Sequence, residues 1–131
     1  MTLKTFHFAA FGLAAAMSAS HALAAASDYE FQPISKEVKA GNGAELAVRL
    51  IHKPANKAVA NAVLFRTRLD MSPDNMADMT TTLTPDGSGE PGVYRFKADL
   101  SMAGNWALKL MAKAPGESET VQGTVIVKAK D

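Results

Sequence analysis

Seven short runs of alternating apolar and polar residues, near positions 29–38, 44–52, 62–71, 79–84, 92–100, 105–113 and 120–128, divide most of the chain. A period of two is what a strand with one buried face produces, because successive Cβ atoms point to opposite sides of a sheet. No long segment carries the 3.6-residue period of an amphipathic helix. The pattern therefore predicts an all-β sandwich of about seven antiparallel strands. Turn formers separate the runs at Gly41-Asn-Gly43, Lys53-Pro-Ala-Asn56, Ser72-Pro-Asp-Asn75, Pro85 to Gly92, Ala103-Gly104 and Pro115-Gly116, each a plausible reversal.

The alternation also assigns faces. Leu46, Val48 and Leu50 point inward, as do Tyr94, Phe96, Ala98 and Leu100, and then Trp106, Leu108 and Leu110. In the third run Val63, Phe65, Thr67 and Leu69 share the inward face, with Met71 continuing it, while Arg66, Arg68 and Asp70 face solvent. His52 closes the inward row of the second run, beside a turn.

Ahead of these runs, residues 1–26 have the layout of a secretory signal: Lys4 in a short basic segment, an apolar stretch from Phe6 to Met17, and Ala22-Leu23-Ala24 or Ala24-Ala25-Ala26 as a small-residue cleavage site. The stretch is short for a membrane span and is interrupted by Ser18, Ser20 and His21. The expectation is an exported or periplasmic domain over 27–131, not an integral membrane protein after cleavage. That length holds one hydrophobic core.

Export changes what the composition means. The chain has no cysteine, so the domain has neither disulfides nor thiolate ligands and depends on packing and strand pairing. Of its 14 Lys and Arg residues Lys4 goes with the signal, leaving 13 against 13 Asp and Glu. A balanced charge gives no reason to expect nucleic-acid binding, and a monomer is expected.

The candidate chemistry lies in sulfur. Met71, Met76 and Met79 fall in or beside one expected loop and Met102 in another. Thioethers are soft ligands suited to Cu(I), or Ag(I). The competing explanation for each is packing, since methionine is flexible and apolar and fills irregular gaps in cores. The loop around Met76, with Ser72, Pro73, Asp74, Asn75, Ala77 and Asp78, is polar and offers little core to fill. His52 is the one histidine left after cleavage and is a further candidate ligand. Met111 shares the face of Lys109 and Lys113 and is set aside. The acids Asp70, Asp74 and Asp78 either solvate the loop or recruit a harder cation or a basic partner surface.

For a nucleophile–base pair the mature chain offers only His52, Lys and carboxylates as the base, and no Gly-x-Ser-x-Gly, His-Glu-x-x-His or phosphate loop is present. The glycine-rich 86–92 segment has no following helix and reads as a hairpin loop. A non-enzyme is expected.

Met71-Ser-Pro-Asp-Asn-Met76-Ala-Asp-Met79, then Gly92-Val-Tyr94, then Met102-Ala-Gly104-Asn-Trp106 resemble the YtkA-like domain, a relative of FixH proteins, over roughly 44–127. The resemblance implies an exported immunoglobulin-like sandwich of the kind found in copper-handling and heavy-metal efflux systems. It implies a periplasmic efflux or oxidase-assembly protein as partner. FixH proteins proper carry an amino-terminal membrane helix, from which this chain departs. The function expected is a non-catalytic module that binds or hands on Cu(I) through Met71, Met76, Met79 and Met102. The alternative is a Met-rich interaction module that binds no metal. A third reading is a carrier for a small apolar ligand.

Overall fold

Alternation makes strands here, but two of the seven runs break in the middle and change sheets. The computed structural model describes residues 26–87 and 89–131. The expected signal therefore lies outside the described residues, apart from its last position, Ala26. The strands are β1 (Tyr29–Pro33), β2 (Glu37–Lys39), β3 (Gly41–His52), β4 (Lys57–Ala58), β5 (Val63–Met71), β6 (Met76–Thr81), β7 (Leu83–Asp86), β8 (Val93–Leu100), β9 (Gly104–Lys113) and β10 (Val121–Lys130). They form a sandwich of two sheets, one ordered β1-β3-β8-β7 with β4 added to β3, the other β2-β10-β9-β5-β6. The fold is all-β, as the alternation predicts.

The count rises from seven to ten because two runs divide and the two-residue β4 forms after the second run, pairing with β3. The first run ends as β1 at Pro33, whose nitrogen has no hydrogen to give a ladder. The chain then crosses to the second sheet and resumes as β2, which lies parallel to β10 in an otherwise antiparallel arrangement. The fourth run divides at Thr82, with β6 in the second sheet and β7 in the first. Pro85 is accommodated because β7 is an edge strand. Gly41-Asn-Gly43 is not a reversal. It opens β3, with a register shift before Ala44 and the Gly43 N–H donating to Asp99 Oδ1 at 2.8 Å.

Leu46, Val48, Leu50, Phe96, Ala98, Leu100, Trp106, Leu108 and Leu110 are all buried, as alternation predicts. Trp106 is wholly enclosed, and its indole N–H donates to the Met102 carbonyl oxygen at 3.2 Å. At Gly123 the sheets approach so closely that a Cβ would sit 2.7 Å from the Phe31 ring.

The third run is where alternation misleads. Val63 and Phe65 are exposed, at 63% and 52%, while Leu64 packs against the core. The β5–β9 register shifts between Leu64, opposite Ala112, and Arg66, opposite Met111. One extra residue at such a bulge exchanges the two faces on one side of it. Asp70, expected in solvent, is fully buried.

Candidate functional site

The segment between β5 and β6 is short and polar, and its conformation follows from its residues. Pro73 supplies a fixed φ for a tight turn, and Ser72–Asp74 make a single 3-10 turn closed by Asn75 in the left-handed region at φ 60°, with its N–H bonded to the Ser72 carbonyl. The turn is then fastened to β9. Asp74 Oδ2 accepts from the Asn105 backbone N–H at 2.8 Å, and Oδ1 from the Asn105 side-chain amide at 3.0 Å. These two bonds from Asn105, backbone first, hold the Asp74 carboxyl below its ordinary range.

Gly104 makes the docking possible. Its φ is +141°, and a Cβ there would stand 2.6 Å from both Asp74 Oδ2 and Met71 Cε. Since Met102 lies two residues earlier, the Asp74–Asn105 clamp brings the Met71–Met79 connection and the Met102 turn to the same end of the sandwich.

The four methionines are not alike there. Met71 is fully buried in the core, with its methyl against Gly104. Met76 is the first residue of β6 rather than a loop tip, pairs in register with Met71 and packs partly against the core. Met79 and Met102 are exposed, at 37% and 38%.

His52 is elsewhere. Gly41 of β3 lies opposite Leu100, while Arg49 lies opposite Val93, so His52 stands a strand length away from Met102. Its ring packs against Tyr29 with centroids 5.0 Å apart. The structure does not bring it to the methionines, because β3 and β8 run antiparallel.

The acids of the loop also have structural work. Burial alone would raise the carboxyl pKa of Asp70. Hydrogen bonds from the Ser72 hydroxyl, Arg68, the Ser72 N–H and Lys109 overrule it, and hold that group far below the usual range. Arg68 Nε and Lys109 Nζ both reach Asp70 Oδ2, at 2.8 and 3.0 Å. Among the described residues no three His, Cys, Asp or Glu side chains group to hold a metal ion, so the hard-cation reading of these acids gains no support. Sequence reasoning missed Asn105 as the partner of Asp74. Nothing local signals that pair, since it joins residues 31 positions apart.

A cleft of about 590 Å³ lies toward the opposite end, between the sheets, with Ala62, Leu64, Pro85, Pro91, Tyr94 and Phe96 among its walls. Tyr94 fixes one wall: its hydroxyl donates to the Val59 carbonyl at 2.7 Å and accepts from the Ala62 N–H at 3.0 Å.

Fold and site together define a small β-sandwich domain in which the turn between Met71 and Met76 is fastened to β9, next to the turn that carries Met102. Among the described residues no helix is long and apolar enough to cross a membrane. The YtkA-like family model matches residues 23–111, and the chain belongs to that family. A search of curated proteins finds no match to it.

Proposed function

We propose that this chain is an exported, non-catalytic metal-handling module that holds a soft cation, Cu(I) foremost, at the end of the sandwich carrying Met71, Met76, Met79 and Met102. The observation that supports it best is the Asp74–Asn105 clamp, which joins the two methionine-bearing segments. Donors from the two segments can share one ion only where the segments converge. Membership of the YtkA-like family fits the reading, and so does a soft-ligand set free of histidine. The FixH kinship and a periplasmic efflux or oxidase-assembly partner belong to the same proposal, as do the signal over residues 1–26 and a monomeric state.

Exposure sorts the four donors. Met79 and Met102 reach solvent and would meet an arriving ion first, whereas Met76 is partly buried against the core. Met71 would have to turn its sulfur out of the core, or serve only to pack. Titration with Cu(I) under reducing conditions tests the proposal: the wild type is expected to bind and to gain thermal stability, because a ligand that binds only the folded state stabilises it. A variant with Met71, Met76, Met79 and Met102 all changed to Leu is expected to stay folded, each swap costing less than about 1.5 kcal/mol, and to lose binding. Unchanged affinity in that variant would remove the methionine site.

A second reading rests on the exposure itself. Met79 and Met102 are two of the exposed large apolar side chains of the domain, and methionine surfaces repack readily against partners. On that reading the wild type binds no Cu(I), and the same variant loses a protein partner instead.

A further inference from the structure

The outer face of the β2-β10-β9-β5-β6 sheet collects positive charge that the balanced composition conceals. Alternation carries Arg66 and Arg68 outward from β5, Lys109 and Lys113 from β9, and Lys128 and Lys130 from β10, with Lys39 on neighbouring β2. That is seven of the 13 cations in residues 26–131. Glu37, Asp70 and, on β6, Asp78 are the carboxylates of this sheet's strands, three of 13. The rest of residues 26–131 therefore holds six cations and ten carboxylates, and the domain is electrically two-sided.

Pairing does not cancel this face. Asp70 is fully buried and binds Arg68 and Lys109, and Glu37 binds Lys130 at 2.7 Å. Arg66, Lys39, Lys113 and Lys128 are in no ion pair among the described residues. The central cations are also held in place: Arg68 bridges Asp70 Oδ2 and the Ala77 carbonyl oxygen at 3.0 Å. Beside them Arg66, Lys109, Met111, Gln122 and Thr124 line a shallow depression of about 470 Å³.

We infer that this face is a docking surface for an acidic protein surface, presenting a preformed array of cations to Asp and Glu side chains. Charge complementarity selects the class of partner. Guanidinium and ammonium groups spaced along neighbouring strands, with Arg68 and Lys109 held by Asp70, suit a carboxylate surface. Val63 and Phe65 on β5 and Ile126 on β10 are exposed beside these cations, but they are side chains on strands and make no apolar helix face of the kind that lies among lipids. The two-sided charge would also orient the domain during approach, so association should weaken with salt. The inference is independent of the methionine site.

The test uses a fluorescein-labelled peptide of glutamates and the full chain, read by fluorescence anisotropy at low and at physiological salt. Charge reversal at Arg66→Glu, Lys113→Glu and Lys128→Glu together is expected to weaken binding by at least about tenfold, leaving only weak residual affinity. Reversal on the opposite sheet, at Arg49→Glu and Lys97→Glu, is expected to change it less than about twofold. These five positions avoid the cations that satisfy Asp70, and circular dichroism confirms that both variants fold. Equal losses in the two variants, no binding by the wild type, or binding to phosphatidylglycerol vesicles without binding to the peptide would each overturn the proposal. Cu(I) affinity should be the same in all three proteins, which separates this result from the methionine question.

Discussion

The two ends of the sandwich are built from the same strands and close in opposite ways. At the methionine end β6 pairs with Leu69, Asp70 and Met71 of β5, and Asp74 ties the intervening turn to Asn105 of β9. At the other end β6 has already left for the first sheet as β7, and a cleft of about 590 Å³ opens between the sheets beside Leu64. The difference shows that a sandwich end is sealed by where its turns send their hydrogen bonds. Apolar content alone does not decide it, since Tyr94 and Phe96 sit at the open end.

Breaking the core common to both ends should cost most. Trp106→Ala is expected to lose about 3–5 kcal/mol in urea unfolding, because the residue is wholly buried and its indole reaches the Met102 carbonyl beside the closed end. A near-normal midpoint would contradict its place in the core.

Next comes Asp70, beside the closed end. Its folded-state pKa is depressed, so its stabilisation is complete above the ordinary carboxylate value of about 4 and is lost as pH falls toward its own lower value. Asp70→Asn is expected to lose about 1–3 kcal/mol at neutral pH. Its stability should also decline less than the wild type's between about pH 5 and pH 2. Parallel declines in the two proteins would show that the buried carboxylate does not govern acid sensitivity.

A matched pair then sharpens the comparison between the ends. Asp74→Ala removes two hydrogen bonds from the closed end, and Tyr94→Phe removes two from the open one. Tyr94→Phe is expected to cost about 1–2 kcal/mol, and Asp74→Ala to lower the urea midpoint. Hydrogen exchange should localise the losses differently, with Asn105 exposed in the first variant and Ala62 in the second. Loss of protection at both sites in either variant would mean that the ends are coupled.

The smallest effect tests the bulge. Phe65→Ser is expected to change stability by less than about 0.5 kcal/mol, as exposed positions do, whereas Leu64→Ser should cost about 1–3 kcal/mol. The reverse ranking would restore the uninterrupted alternation of the third run.

Much of the architecture is legible without coordinates. β3, β8 and β9 bury the residues that alternation assigns to them, since period two is a property of the backbone and needs no partner to declare itself. The third run departs from alternation for a reason equally physical: a bulge adds one residue against the partner strand, and only the register with β9 reveals it. For the site, the sequence places methionines in or beside two turns but cannot say that the turns meet. Asp70 likewise reads as a solvent-facing acid, although Arg68, Lys109 and Ser72 bury it.

By itself, then, the sequence determined the fold class, most core faces and the chemical character of the side chains in each turn, because these follow from alternation, turn formers and residue chemistry along a single stretch of chain. Tertiary structure alone decided that β2 and β6 lie in one sheet while β1 and β7 lie in the other. It also decided that Asp74 holds Asn105, that His52 stands apart from Met102, and that one face gathers seven cations. Each of these joins residues far apart in the chain, and the energies that select them arise only when the strands pack.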